Sequence, residues 1–271
     1  GKEVEHRVEI NAREHRFEFP STGEPANVVF DSPNSVVKAI ATQKSRAMWM
    51  HQLRHDRRGI NRIYAAQELA KSWGLDEMYA VVERVEKDPY WATRAECALT
   101  LKTAAFPETA QKLMGLFAKE KDHRVQRAIL ETLSFFRYPE VYQFLKKQTT
   151  RTDSYIVPAE AYRGIGRWKE NQDIAFLKKG LDKPAWMDAI AMGVVGGLTA
   201  IQSERALKEL IILTQPHYPD RVRMVAARAI AVVGGKREEA TQTLLRLTED
   251  PFILVHLYAT MSLGQVGDER A

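Results

Sequence analysis

The sequence has little cysteine, no long apolar run and no strong excess of one charge, and each shortage excludes a class of protein. Cys97 is the only cysteine among 271 residues, which excludes an internal disulfide and a cysteine-based zinc cage. Its neighbours Ala95, Ala98 and Leu99 are small or apolar. This context predicts a buried thiol with a structural role.

The longest apolar stretch, residues 189–201, contains three glycines and is shorter than the roughly 20 residues that span a bilayer. We therefore expect no transmembrane helix and no membrane partner. Residues 2–9 alternate charged and apolar side chains and lack the basic head and apolar core of a secretory signal. A cytoplasmic location is expected, and an export signal in a missing region upstream of Gly1 stays open.

The 40 basic and 35 acidic residues give a net charge of +5. Such a mixed surface permits nucleic-acid binding without indicating it. Hydrophobic residues make up 45% of the chain, which is enough to bury a substantial core. The composition is that of a folded protein.

Residues before about position 30 follow the period of a β-strand. In the runs 8–10 and 17–19, apolar residues alternate with charged ones, which predicts strands with one apolar face. A turn with Pro and Gly, residues 20–25, precedes a third apolar run at 28–30. Three short strands are not stable alone, so we expect them to pack on the helices or on a domain that this chain lacks.

From about residue 35 onward the chain repeats itself every 32 or 33 residues. Self-similarity at this spacing is typical of stacked helix pairs. One apolar residue near the end of each predicted second helix, named here the anchor, marks the repeat, and seven units fit the chain. The anchors are Leu69, Leu101, Leu133, Ile165, Leu198, Ile230 and Leu263.

Charged residues follow the same period. An Asp opens the turn before the second helix in five units, where its carboxylate can accept hydrogen bonds from free backbone N–H groups. An Arg a few residues later is close enough to pair with such an Asp across the stack, which indicates a role in stacking rather than in catalysis. These residues form the repeat ladder: Asp56, Arg62, Asp88, Arg94, Asp122, Arg127, Asp220, Arg223 and Asp250.

The segment Asp220–Ile230, Asp-Arg-Val-Arg-Met-Val-Ala-Ala-Arg-Ala-Ile, resembles the short HEAT repeat. Over seven units the resemblance implies an all-α protein, a right-handed HEAT-type α-α superhelix of about seven helix pairs with a short N-terminal β segment. It divides the chain into a β-strand segment, residues 1–34, and a HEAT-repeat α-solenoid, residues 35–271. In this family stability comes from stacking each pair on the next. HEAT proteins that bind iron use His-Glu pairs, and the sequence has no His-Glu dipeptide.

Residues 24–38 look like the last strands of the β-sandwich that precedes the helical region of M1-family zinc aminopeptidases. Residues 50–70 are similar to the start of the HEAT-containing tail in bacterial members. The resemblance implies that this chain is a non-catalytic C-terminal domain, with zinc only in an upstream catalytic domain of the same protein. The family's His-Glu-x-x-His helix and its Gly-Ala-Met-Glu-Asn-type strand are both missing from the sequence.

The segment His51-Gln52-Leu53-Arg54-His55 copies the spacing of a zinc-binding helix, because residues i and i+4 share one helix face. Its central Gln52 cannot replace the carboxylate that acts as general base, since an amide does not take up the proton. The position of a third ligand holds Gly74. We therefore predict no catalytic residue, no metal site and no cofactor in this chain.

The second helices of a HEAT stack line its concave side, so their exposed polar residues are candidate partner contacts. Their charge is acidic early in the chain and basic later, which suits a peptide or protein segment better than a uniformly anionic polymer. Trp168 has basic neighbours and can stack on a base or a peptide side chain, or it can cover the groove between two repeats. The candidate contacts are Gln67, Glu96, Glu131, Arg163, Arg167, Trp168 and Arg228.

Three functions compete at this point. The first is a non-catalytic C-terminal domain of an M1-type metallo-aminopeptidase-like protein that presents its concave surface to a peptide or protein, and any enzyme activity then belongs to the parent. The second is a free-standing HEAT-repeat scaffold that binds a partner protein. The third, a basic HEAT-type DNA-binding protein, needs a continuous Lys and Arg stripe. Four glutamates interrupt that stripe: Glu68, Glu96, Glu131 and Glu160.

Overall fold

The structure is a computed structural model, and it describes residues 3–267. Within that range it contains 14 α-helices and no β-strand. The helices are α1 (Arg46–His55), α2 (Gly59–Leu69), α3 (Leu75–Lys87), α4 (Trp91–Thr100), α5 (Pro107–Lys119), α6 (His123–Leu133), α7 (Pro139–Gln148), α8 (Ile156–Gly166), α9 (Ile174–Lys178), α10 (Ala189–Ile201), α11 (Glu204–Ile212), α12 (Asp220–Gly234), α13 (Glu238–Leu247) and α14 (Ile253–Val266).

The helix boundaries follow local sequence signals. The side chains of Ser45, Asp122 and Ser203 accept hydrogen bonds from backbone N–H groups at the starts of α1, α6 and α11. Pro107 and Pro139 occupy the first turns of α5 and α7, where proline removes no helical hydrogen bond. The short loops between consecutive helices then bring the two members of each pair together.

Seven helix pairs, from α1–α2 to α13–α14, stack in chain order. Every even-numbered helix packs on the next even-numbered helix. The odd-numbered helices are not all in contact in this way, since α9 makes no comparable contact with α7 or with α11. The layer whose helices lie closer together is the inner side of a curved stack, so the even-numbered helices form the concave side. All seven anchors are buried, with at most 3% exposure. The predicted HEAT-type α-α superhelix of seven pairs is confirmed.

The predicted N-terminal strands are not formed in the described residues. Residues 3–44 contain neither helix nor strand, and residues 3–30 make no backbone-to-backbone hydrogen bond within the described chain. The reason is that a period-two pattern specifies an apolar face but supplies no partner for the N–H and C=O groups of the strand. The division into domains 1–34 and 35–271 stays a prediction, and its first two and last four residues lie outside the described range.

Polar contacts attach the N-terminal segment to the first helix pair. Asn34 Nδ2 donates to Asn61 Oδ1 at 3.1 Å, and Asn27 Nδ2 donates to Gln52 Oε1 at 3.3 Å. Lys44 Nζ donates to Asn27 Oδ1 at 2.8 Å. The segment is therefore held against Gln52 of α1 and Asn61 of α2, while Ile60 and Tyr64 on α2 stay 40% and 42% exposed.

Glycines bring α8 and α10 into backbone contact. A Cβ atom added at Gly166 would lie 2.0 Å from the Gly197 carbonyl oxygen, and one at Gly193 would lie 2.3 Å from the Ala159 carbonyl oxygen. No larger residue fits at this spacing. The middle of the stack is thus joined by a contact that only glycine permits.

We predict that Gly166→Ala lowers the free energy of unfolding by about 1–3 kcal/mol, because the added methyl group overpacks the α8–α10 contact. Gly115→Ala is the matched control, since Gly115 is a helical, exposed glycine with no atom within 4 Å of an added Cβ. It should raise the free energy of unfolding by about 0.5–1 kcal/mol. Urea unfolding followed by circular dichroism measures both, and changes of equal sign would contradict the prediction.

Cys97 on α4 is fully buried, and burial, followed by the nearby Asp88 carboxylate, raises the pKa of its thiol to about 12. A buried thiol that stays protonated is a poor nucleophile. We predict that Cys97 does not react with an aromatic disulfide reagent at neutral pH until the chain unfolds. The absorbance of the released thiolate, with and without denaturant, measures this, and rapid labelling of the folded protein would contradict it.

Candidate functional site: the concave helix face

The repeat ladder positions consecutive even-numbered helices. Arg62 on α2 donates to the Asp88 carboxylate of the next repeat, with Nε–Oδ2 at 2.6 Å and Nη2–Oδ1 at 2.8 Å. Its Nη1 donates to the Asp56 carbonyl oxygen at 2.7 Å. Arg223 makes the same fork to Asp250, at 3.1 and 2.9 Å. Each of these arginines ties the turn before its own helix to the turn of the following repeat.

The pairing of Arg94 differs from the prediction. Arg94 donates to Glu120, at 2.8 and 3.2 Å, and not to Asp122. The reason is spacing, because the fork reaches a carboxylate 26 residues farther along the chain, as it does from Arg62 to Asp88. Burial is the largest single influence on Glu120 and opposes its ionisation. The hydrogen bond and the charge of Arg94, together with the backbone N–H groups of Asp122 and Lys121, outweigh burial, so the pKa of Glu120 falls below its ordinary value.

Asp122 and Asp220 act at helix starts. Asp122 accepts from the Arg124 backbone N–H at 2.9 Å, and Asp220 accepts from the backbone N–H of Arg221 at 2.9 Å. Neither accepts a hydrogen bond from the ladder arginine of the preceding repeat. Arg127 also stands apart from the ladder, since its charged contact is Glu131 on the same helix, at 3.8 Å.

The ladder is interrupted in the middle of the stack. Seven residues before each anchor stand Arg62, Arg94 and Arg223, but Gln126, Pro158 and Ala191 occupy this position on α6, α8 and α10. Gln126 still donates to the Glu120 carbonyl oxygen at 2.8 Å. Helices α8 and α10 have no ladder arginine, and the glycine contact joins them instead.

A buried carboxylate holds two arginine side chains in place on the concave face of α8. Glu160 is fully buried, and it accepts from Arg163 Nη1 at 2.5 Å and from Arg167 Nη1 at 3.2 Å. The same Arg167 nitrogen donates to Ser134 Oγ of the preceding repeat at 2.6 Å. Two of the candidate contacts, Arg163 and Arg167, are therefore held in fixed positions.

Small residues form the neighbouring surface on α10. Gly196 lies two residues before its anchor, as Arg163 and Arg228 do on α8 and α12, so the three positions adjoin across the stack. The Arg163 side chain lies across Gly196, since an added Cβ would be 2.8 Å from Arg163 Nε. Ala189 and Ala200 extend this small-residue floor along α10.

The α12 side of this floor carries arginines without an acidic partner. Arg228 and Arg221 are exposed, and neither side chain makes an ion pair within residues 3–267. Arg163 and Arg167 share the carboxylate of Glu160, whereas Arg221 and Arg228 have no ion-pair partner in the part of the chain that the structure describes. The sequence pattern named Arg228 but missed Arg221 and Gly196, because their neighbours across the stack are not visible along the chain.

The other candidate contacts lie earlier in the stack. Gln67 is exposed on α2, and Glu96 is partly buried on α4. Glu131 on α6 accepts from Lys102 Nζ at 2.6 Å. The face thus carries neutral and acidic groups at its start and unpaired positive charge near α12.

Trp168 follows α8 and packs against an odd-numbered helix. Its ring lies 4.9 Å from that of Tyr142 on α7 and 5.3 Å from the Arg137 guanidinium. Its Nε1 has no hydrogen-bond partner. The structure therefore places Trp168 against Tyr142 of α7 and Arg137 of the loop before α7, and not among the concave arginines.

His51 and His55 share one face of α1, with ring centres 4.7 Å apart. Among the residues that the structure describes, no group of three or more His, Cys, Asp or Glu side chains is placed to hold a metal ion. None of the described helices combines the length and the apolar character needed to cross a bilayer.

Comparison with known proteins agrees with this geometry. Residues 78–157 match the family described as HEAT repeats, a stretch that runs from α3 to the start of α8. The fold is that of a HEAT-repeat superhelix. No curated protein matches the sequence.

Two solved structures are similar to this chain at low sequence identity. The complex of CpcE and CpcF of phycocyanin lyase from Nostoc sp. PCC7120 is 14% identical with a TM-score of 0.51, and the match covers 86% of this chain and 98% of that one. Human deoxyhypusine hydroxylase is 15% identical with a TM-score of 0.42, covering 82% and 96%. Likeness at this level concerns the fold alone.

We predict that Arg62→Met lowers the free energy of unfolding by about 3–5 kcal/mol, because it leaves the buried Asp88 carboxylate without its counter-charge. The double variant Arg62→Met with Asp88→Leu should recover most of this loss. Lys208→Met is the control, since its ion pair with Glu204 is exposed and should matter little. Urea unfolding tests the set, and a single-variant loss as small as that of the control would contradict it.

Proposed function

We propose that this chain is a non-catalytic HEAT-repeat scaffold that binds an acidic segment of a partner protein on the concave face of α8, α10 and α12. The observation that carries the proposal is the pair Arg221 and Arg228, which are exposed and unpaired beside a floor of small residues. Their charge is uncompensated within the described chain, and a carboxylate-bearing partner would compensate it.

The chemistry of arginine favours a carboxylate ligand. A guanidinium presents a planar fork of N–H donors that matches the two oxygens of a carboxylate. Arg62 and Arg223 already use this geometry within the protein. Arg228 has the same donors and no acceptor, so an Asp or Glu side chain of a partner fits it.

The shape of the floor favours an extended peptide. Ala189 and Ala200 are small residues on either side of Gly196, which the Arg163 side chain covers, and they leave room for a main chain to approach α10 beside that arginine. Val232, which is 47% exposed, offers an apolar contact next to the arginines. Because Glu160 and Ser134 already fix Arg167, this side chain loses little freedom on binding.

Nucleic acid fits this face less well. A polyanion gains affinity from a continuous row of unpaired Lys and Arg. On this face Lys102 is engaged by Glu131 and two arginines by Glu160. The unpaired positive charge is local, which suits a short acidic segment.

A finer hypothesis makes the chain the C-terminal domain of an M1-type metallo-aminopeptidase-like protein, whose partner is then its own catalytic domain or the peptide substrate. It rests only on the resemblance of residues 24–38 and 50–70. A fluorogenic aminoacyl amide, assayed with and without added zinc, should not be hydrolysed by this chain. Zinc-dependent hydrolysis would contradict the non-catalytic role.

Fluorescence anisotropy tests the acidic-segment proposal directly. The probe is a fluorescein-labelled peptide of alternating Glu and Leu, and the same peptide with Lys for Glu is the control ligand. We expect binding of the Glu peptide only. Arg228→Glu and Arg221→Glu should each weaken it about tenfold, which corresponds to about 1.4 kcal/mol.

Arg205→Glu is the matched control variant, because Arg205 is exposed on the odd-numbered helix α11 and the change in net charge is the same. It should weaken binding less than twofold. An equal loss in all three variants would show a nonspecific charge effect and overturn the proposal. Tighter binding of a single-stranded DNA oligonucleotide than of the Glu peptide would overturn it in favour of nucleic acid.

A further inference from the structure

A cavity of about 620 Å³ opens on the edge of the stack at which the even-numbered helices begin. It spans three consecutive repeats, since its walls are His123 at the start of α6, residues 151–156 at the start of α8, and Lys183, Pro184 and Ile190 around the start of α10. Its volume lies in the range of roughly 300–1,000 Å³ that is typical of small-molecule sites. None of the arginines that carry the proposed function lines it.

The cavity lies where the repeat ladder has no arginine. In the earlier repeats the guanidinium group of Arg62 or Arg94 reaches the turn of the next repeat and forks with a carboxylate there. Pro158 occupies the equivalent position on α8, and its short ring does not extend to the turn before α10. The space between these two turns is therefore left unfilled.

The turn before α10, which forms one wall, has a strained backbone. Met187 and Asp188 both adopt left-handed conformations, with φ of 52° and 57°, and neither residue is glycine. Such strain persists only where the surrounding structure fixes it, and it is concentrated at ligand sites and active sites. The same turn places Lys183 and Pro184 on the cavity wall.

Two cationic side chains of the cavity are free to bind an anion. Arg151 is occupied, because its Nε donates to Asp153 Oδ1 at 2.8 Å and its Nη1 donates to Gln126 Oε1 at 3.2 Å. His123 Nε2 lies 3.6 Å from Asp153 Oδ2, which is too far for a hydrogen bond. Lys183 makes no ion pair with any residue that the structure describes. The ring of His123 and the ammonium group of Lys183 are thus available as separate donors.

Separate donors suit a phosphate better than a carboxylate. A carboxylate is planar and is matched best by an arginine fork, but Asp153 already fills the fork of Arg151. A phosphate monoester accepts through three oxygens, so it can use single donors from different walls. Lys183, His123 and the hydroxyl group of Thr152 line the cavity from three consecutive repeats.

The remaining walls suit a flat apolar group. Tyr155 is 43% exposed, and it lines the cavity together with Ile156, Pro184 and Ile190. It is the N-cap residue of α8 and makes no side-chain hydrogen bond to the helix start. Its ring is therefore available to stack on a planar ligand.

We propose that this cavity binds a small phosphate monoester of a planar ring compound. The phosphate lies between Lys183 and His123, and the ring of the ligand lies against Tyr155. This site is on the turn edge of the stack, so it is independent of the acidic-segment surface on α8, α10 and α12.

Isothermal titration calorimetry of the full chain tests the site, with phenyl phosphate as the probe. We expect saturable binding at one site per chain. Inorganic phosphate lacks the ring and benzoate lacks the tetrahedral group, so each should bind about tenfold more weakly or less. The absence of saturation by phenyl phosphate at millimolar concentrations would overturn the proposal, and so would equally tight binding of benzoate.

A pair of lysine variants tests the phosphate position. Lys183→Ala should weaken binding of phenyl phosphate about tenfold, because it removes a charged donor. Lys179→Ala is the matched control, since Lys179 is an exposed lysine outside the cavity that also makes no ion pair within the described chain. It should change binding less than twofold. Similar losses in both variants would mean that net charge alone attracts the anion, which contradicts the proposal.

A pair of tyrosine variants tests the ring position. Tyr155→Ser should weaken binding of phenyl phosphate and leave binding of inorganic phosphate unchanged. Tyr90→Ser is the control, because Tyr90 is the N-cap residue of α4, is 52% exposed and also makes no side-chain cap. Serine is favoured at N-caps, so both variants should stay folded by circular dichroism. Unchanged binding of phenyl phosphate by Tyr155→Ser would contradict the ring position.

A third variant should strengthen binding, which a folding defect does not explain. Asp153→Asn removes the only carboxylate of the cavity wall and frees the fork of Arg151, so phenyl phosphate should bind about tenfold more tightly. Unchanged or weaker binding would place the phosphate elsewhere and overturn the proposal. Arg228→Glu should leave binding of phenyl phosphate unchanged, so this proposal and the proposed function fail independently.

Discussion

No helix pair in this protein can bury its apolar face without the next pair. The anchors and their neighbours form one core that runs from Leu53 to Val266, so removing any layer exposes the layers beside it. The charged and polar contacts hold neighbouring helix pairs at the spacing that this burial requires. The spacing between turns of consecutive repeats is set by Arg62, Arg94 and Arg223. Between α8 and α10 the glycine contact sets it instead. The concave face is a product of that stacking.

The helical part of the fold was predictable because the stacking constraint leaves a mark along the chain. Buried anchors such as Leu101 and Ile165 must recur at the repeat length. The N-terminal strands were predicted wrongly because alternation at Val8 and Ile10 describes one face of a strand and says nothing about a partner strand. A helix completes its backbone hydrogen bonds within one segment of the chain. A strand needs a second segment to pair with, and the alternation does not specify one.

The candidate site was predictable only in part, because it is built from three helices. The basic trend of the later repeats and Arg228 are visible in sequence. Arg221 and Gly196 gain meaning only when α10 lies between α8 and α12. The sequence left two roles open for Trp168, stacking on a ligand beside Arg167 and Lys169 or packing between repeats, and its ring packs on Tyr142.

The interruption of the ladder between α6 and α12 makes the repeats unequal as building blocks. Each fork joins an arginine of one unit to a carboxylate of the next, and the same pairing recurs from α2 to the second repeat and from α4 to the third. If a unit is copied or removed there, the units on either side still present a matching arginine and carboxylate to each other. Helices α8 and α10 fit only each other, since each supplies the glycine that the other needs. Lengthening or shortening this protein by gene duplication, or by design, is therefore feasible around α3 and α4, whereas α8 and α10 must be inherited together.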